Sequence, residues 1–223
     1  MTNKLNVLQI IDSLEVGGAE VMAVNIANGL SDRKKKSHIC VTRKEGLLKR
    51  KIDNSVEYLY LNKKKVIDVK ATLKLKKYVK EHSITIIHAH SSSFLIAILV
   101  KILIPSIKIV WHDHYGKAEN IEKRNFKALK LSSLFFNSII SVNNILFLWA
   151  KEHLFTKKIK YVANFSVLNK LDVKKTILKG IEGKRIICLA VFRPQKDHLN
   201  LLAAFLKLQN NFPEYTLHLV GQY

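Results

Sequence analysis

RIICLAVFRPQKDHLNLLAAF, Arg185 to Phe205, reads as a strand, a basic turn and a helix in direct succession. Ile186 to Val191 is a short apolar run with β-branched ends, the pattern of a strand buried in a parallel sheet. Pro194 ends it. From Asp197 onward Leu201, Leu202, Phe205 and Leu208 recur at helical spacing, with Asp197 as the expected N-cap. The turn therefore places Arg193 and Lys196 at a helix N-terminus. Two cations beside unpaired backbone N–H groups and the positive end of a helix dipole make an anion site, most simply for phosphate. A solvated basic turn is the competing reading, because glycine-rich phosphate loops carry glycines that this turn lacks.

The chain before this stretch alternates strand and helix. Strands are read at Leu5 to Ile11, Ser37 to Thr42, Val56 to Leu61, Ile84 to His88, Ile107 to Trp111, Ser138 to Val142 and Lys160 to Val162. Helices are read at Ala19 to Leu30, with Val21, Val24, Ile26 and Leu30 inward, and at Asp68 to Glu81, with Val69, Leu73 and Val79 on the inner face. Three more follow at Phe94 to Leu103, Lys123 to Phe135 and Asn144 to Leu154. This rhythm predicts an α/β fold, a doubly wound parallel sheet over residues 1–167, and the start of a second such domain over 168–223.

Composition narrows the function classes. With 48% hydrophobic residues the 223-residue chain can bury a real core. The net charge is +21, and between Arg33 and Lys80 there are 17 cations against 4 acids. The clusters at Arg33, Lys49 and Lys63 read as surface connections on a solvated face. An anionic partner is implied, but no zinc-finger spacing or nucleic-acid motif accompanies the charge, so nucleic acid is not an expected partner. Cys40 and Cys188 lie in apolar strand-like runs and read as packed thiols in a reducing compartment. MTNKLNVLQII enters a strand without a signal-type apolar region, and Phe94 to Ile104 is too short to span a bilayer. The expectation is a cytoplasmic protein.

In open α/β sheets the loops at the carboxyl ends of the strands carry the ligand site. Four are chemically loaded here. DSLEVGGAE, Asp12 to Glu20, brings Gly17 and Gly18 to a helix start, with a spacing that is not the dinucleotide fingerprint. HAHSSS, His88 to Ser93, and HDHYG, His112 to Gly116, put four histidines at two strand ends. VANF, Val162 to Phe165, contains Asn164 where the chain leaves the first sheet.

GGAE, the HxH-S pair, HDHYG, YVANF and FRPQKDHLNLLAAF together resemble the family-4 retaining glycosyltransferases of the GT-B fold, particularly bacterial surface-polysaccharide enzymes. The resemblance covers essentially the whole chain. It implies two facing Rossmann-like domains, with sugar transfer from a nucleoside-diphosphate sugar to a glycan or lipid-linked acceptor. By it, Gly17 and Gly18 lie near the donor phosphates, with Arg193 and Lys196 as the diphosphate-binding cations. His112 or His114 takes the place of the cleft histidine, and His88, His90, Asp113 and Asn164 belong to the acceptor side or cleft. Arg193 and Lys196 are closer together than their counterparts in many members. The family's E-x7-E motif would fall beyond Tyr223, so the sequence is expected to be the N-terminal piece of a longer enzyme.

The implied chemistry is stabilisation of charge growing on the leaving β-phosphate by fixed cations and helix-end N–H groups. That requires no cofactor and no metal, in keeping with the lack of a D-x-D pair. Lipid-linked acceptors and the lysine-rich first third suggest peripheral contact with the inner face of an anionic membrane. The alternative reading is a zinc hydrolase that uses His88, His90, His112 and Asp113; it leaves the Arg193 turn unexplained.

Overall fold

A computed structural model describes residues 5–32, 36–167 and 176–221. They fall in two compact units, Met1–Leu168 and Asn169–Tyr223.

The first unit is a seven-stranded sheet in the order β3-β2-β1-β4-β5-β6-β7, parallel throughout. The strands are β1 (Asn6–Ser13), β2 (Lys36–Lys44), β3 (Glu57–Tyr60), β4 (Ile86–His90), β5 (Lys108–Asp113), β6 (Ser138–Ser141) and β7 (Ile159–Tyr161). Between them run α1 (Gly18–Asp32), α2 (Val69–Glu81), α3 (Phe94–Leu103), α4 (Lys127–Ser132) and α5 (Asn144–His153). A strand with helices on both sides must be apolar on both faces, and β1 is buried from Asn6 to Ile11. Successive residues serve opposite faces. Leu8 and Ile10 join the core cluster of Leu75, Val79, Ile96, Ile109, Trp111, Ile139 and Trp149, whereas Ile11 joins Leu14, Val24, Ala27, Ile39 and Val41.

Several local expectations change. In α2 the buried residues are Ala71, Thr72, Leu75 and Val79, and the expected inner residues Val69 and Leu73 are 68% and 51% exposed. Its N-cap Asp68 accepts a hydrogen bond from Ala71 N, and this sets a face that the Leu75–Val79 spacing selects over Val69 and Leu73. In α1 the fully buried positions are Met22, Ala23, Val24 and Ala27; Val21, Ile26 and Leu30 are half-buried. The helix read at Lys123 to Phe135 is a six-residue α4 between two 3-10 turns, Ala118–Lys123 and Ser133–Phe135. Of the basic clusters, Arg33 to Lys35 lie outside the described residues, and Lys63 is buried rather than on the surface.

The second unit contains β8 (Arg185–Leu189), α6 (His198–Asn211) and β9 (Thr216–Val220), with β8 and β9 paired in parallel. None of its helical residues is buried. Ile187 and Leu189 are 57% and 81% exposed, and Cys188 is half-buried rather than packed; both cysteines are free. Asp197 occupies the N-cap position of α6 without the expected side-chain bond, because its backbone is left-handed at φ 48°.

Candidate active site

The order β3-β2-β1-β4 reverses the direction of winding between β1 and β4. At such a reversal two connections leave for opposite faces and open a crevice at the carboxyl ends. Asp12, at the end of β1, spans it: Ser92, after β4, donates to its Oδ2 at 2.6 Å, and the Thr42 hydroxyl donates to its Oδ1. The Ser93 hydroxyl donates to the Ile10 carbonyl at 2.7 Å. Gly17 and Gly18 stand at the same end. Gly18 opens α1 and is exposed, and Gly17 precedes it. A side chain on Gly17 would collide with the Glu20 carboxylate.

The two histidine motifs come together because β4 and β5 are parallel neighbours in register, His90 opposite His112. Residues two apart share a face, so His88, His90, His112 and His114 form one cluster. The His88 and His112 rings stack at 5.1 Å with 6° between planes, and His112 lies 4.0 Å from His114. His88, His90 and His112 are buried, and His114, just past the strand, is half-buried. Gln9, fully buried on β1, accepts from His90 Nε2 at 2.9 Å. His90 Nδ1 then carries the lone pair and accepts from His114 Nε2 at 3.1 Å. His88 Nε2, both His112 nitrogens and His114 Nδ1 are buried without a hydrogen-bond partner among the described residues.

Burial holds all four imidazoles neutral, since a charge there would lose its hydration. It lowers His88 to about 3, His112 to about 2 and His114 to about 4, and takes His90 well below its ordinary value.

Asp113 is not free for acid–base or ligand work. Arg124 donates to its Oδ2 at 2.7 Å and to its Oδ1 at 3.0 Å, and Tyr115 N donates to Oδ1. Burial pushes this carboxyl up, and the arginine works against that shift. The guanidinium itself lies 4.5 Å from the Tyr115 ring, 4.4 Å from Trp149 and 5.6 Å from Trp111. This latch fixes the backbone on either side of His114. Asn164 is exposed in the segment after β7, where Phe165 N meets Met22 Sδ.

In the second unit Arg193 precedes the 3-10 turn Pro194–Lys196 and Lys196 ends it, and both are exposed. Phe192 stacks on His198 at 4.7 Å and closes the turn at the start of α6. Sequence reasoning missed Gln9, Asp12 and Arg124. Gln9 had a signal, a lone amide in the apolar run VLQII; Arg124 had none, because its partner lies 11 residues away on another element.

The matching solved structures are GT-B proteins of low sequence identity. HepE from Anabaena, in a complex with UDP and glucose, superimposes with a TM-score of 0.68 at 15% identity, over 96% of this chain and 60% of that one. A glycosyltransferase from Rickettsia africae gives 0.60 at 16% identity, over 98% of this chain and 69% of that one. Sucrose-phosphate synthase from Thermosynechococcus elongatus gives 0.64 at 11%, over 97% and 62%. The chain thus spans 60% of the length of HepE. At these identities the likeness is one of fold, the Rossmann-like α/β sheet of the GT-B glycosyltransferases. Among curated protein sequences there is no match. The family model described as Glycosyltransferase Family 4 matches residues 16–163, from the loop after β1 to the segment after β7. The chain belongs to glycosyltransferase family 4.

Proposed function

We propose that the protein takes part in transfer of a sugar from a nucleoside-diphosphate sugar to a glycan or lipid-linked acceptor, with retention at the anomeric carbon, in cell-surface polysaccharide synthesis. The observation that carries this reading is the convergence of the β1, β4 and β5 loops at the winding reversal of a family-4 domain. HepE, of the same fold, is solved with UDP-glucose, which supports a nucleotide sugar as donor. In this reading the nucleotide sugar is a substrate and no cofactor takes part.

As the sugar–phosphate bond breaks, negative charge gathers on the β-phosphate. Arg193 and Lys196, beside the N-terminus of α6, are the proposed counter-charge, and Gly17 and Gly18 are proposed as donor-side residues of the first unit. His114 is the proposed cleft histidine, because it is the least buried of the four and is aimed by the Asp113–Arg124 latch; His112 lies beneath it. His88, His90 and Asn164 are assigned to the acceptor side. The zinc-hydrolase alternative loses one proposed ligand, since both Asp113 oxygens are taken by Arg124. The test is release of UDP from UDP-sugars. Arg193→Ala and Lys196→Ala should each lower turnover by about 10²-fold, and wild-type turnover in both would remove these cations from the reaction.

We place the enzyme in the cytoplasm, at the inner face of the membrane. No helix among the described residues is long and apolar enough to cross a bilayer. The support for surface contact is the exposed apolar set Val66, Ile67, Val69 and Leu73, interleaved with Lys64, Lys65 and Lys70. Near-surface cations contribute about 1 kcal/mol each on anionic lipid. Flotation with anionic vesicles should weaken with salt and with Ile67→Asp; equal flotation with neutral vesicles would remove the electrostatic part.

A further inference from the structure

We propose that the histidines at the carboxyl ends of β4 and β5 bind one divalent transition-metal ion of the zinc class, through His88, His90 and His112, with His114 as fourth ligand. This departs from the favoured sequence reading, in which no metal takes part, and shares His88, His90 and His112 with the zinc-hydrolase alternative without its Asp113 or its hydrolysis; it does not rest on sugar transfer.

One ligand nitrogen from each of His88, His90 and His112 lies within 4.8 Å of the other two, and all three side chains are buried. His90 Nδ1 and His114 Nε2 are 3.1 Å apart. Two nitrogens on a tetrahedral zinc, each bonded at about 2.0–2.1 Å, stand about 3.3 Å apart. That pair is therefore already at ligand spacing once the His114 proton sits on Nδ1, and ligation by His88 and His112 requires their stacked rings to turn.

The chemistry of the cluster favours a cation over a bare stack. His88 Nε2, both His112 nitrogens and His114 Nδ1 have no hydrogen-bond partner among the described residues, and leaving a buried polar atom unmet is costly. One ion meets two of them, His88 Nε2 and one nitrogen of His112. The Gln9 carbonyl holds the proton of His90 on Nε2 at 2.9 Å and so exposes the Nδ1 lone pair, the part that outer-shell acceptors play around ligating histidines. An all-imidazole set suits zinc, copper or nickel, whereas magnesium and calcium take oxygen ligands. Asp113, bound on both oxygens by Arg124, supplies none.

The test uses the tag-free 223-residue protein, stripped with chelator and titrated with Co²⁺, followed by Zn²⁺ in competition. The expected result is one equivalent of Co²⁺ with the visible bands of tetrahedral nitrogen coordination, displaced by zinc. Uptake should weaken at least 100-fold in His88→Gln and in His112→Gln, each checked for folding by circular dichroism. X-ray absorption of the zinc-loaded wild type, which needs no variant, should show a shell of imidazole nitrogens at about 2.0 Å. The proposal is overturned by uptake well below one equivalent, by uptake unchanged in both folded variants, or by a zinc shell made of oxygen alone.

Discussion

The β1–α1–β2 and β8–α6–β9 segments have the same local plan, a parallel strand pair joined by a helix, and opposite fates. In the first, α1 buries Met22, Ala23, Val24 and Ala27, and β1 is paired on both sides. In the second, α6 buries nothing and, among the described residues, β8 pairs only with β9. The apolar periodicity of α6 is as good as that of α1. Burial is thus a property of how many neighbours a strand–helix unit has, and the pattern that forms a helix does not by itself supply a core.

The most severe way to probe this contrast is to break one ion pair in each unit. Arg124→Ala strands a buried carboxylate and should cost about 3–5 kcal/mol in urea unfolding. Lys184→Ala, which removes the partially exposed contact to Glu214 at 2.8 Å, should leave the midpoint nearly unchanged. Equal losses would undo the distinction.

Hydrogen exchange measures the difference without mutation. Amides of β1 and β4 should be protected at least about 10²-fold more than those of β8 and β9, because opening them exposes a core. Similar protection would mean that the second unit is stabilised by something other than burial.

A smaller effect is expected from pH. His38, buried on β2 with Nδ1 2.9 Å from the Tyr78 hydroxyl, is lowered to about 4 by burial and by His82. Its folded value lies below the unfolded one, so the unfolded chain binds the proton first. This contribution to stability is complete above about pH 6.5 and is lost at about 1.4 kcal/mol per pH unit as pH falls toward 4. His38→Asn should flatten the slope, and an unchanged slope would place the acid sensitivity elsewhere.

The smallest pair concerns the two helix starts. Asp68→Ala removes a real cap and should lower the midpoint more than Asp197→Ala, which removes no cap and costs only the poorer fit of alanine to a left-handed backbone. Asp197→Gly should raise stability slightly, since glycine adopts φ 48° at little cost. A loss on Asp197→Gly would show that the aspartate does more than occupy the turn.

The strand series and its parallel pairing were legible because two-sided burial leaves continuous apolar runs such as VLQII and KIVWHD. The histidine motifs were legible too, since H-x-H at two neighbouring strand ends puts four rings on one side. What the sequence concealed depends on register and distance. Which of Val69, Leu73 or Leu75 faces inward is fixed by where the Asp68 cap starts the helix, and a shift of one residue turns the helix by about 100°. Gln9 matters because β1 lies beside β4, and Arg124 because a 3-10 turn carries it back to Asp113; neither adjacency is written in local spacing.

The guanidinium of Arg124 lies over both tryptophans of the chain, Trp149 at 4.4 Å and Trp111 at 5.6 Å. Excited indole responds strongly to a nearby charge, so light emitted on selective tryptophan excitation comes wholly from the walls of this latch. The protein therefore carries its own optical gauge of the Arg124 contact, and residues 169–223, which contain no tryptophan, supply none of that signal.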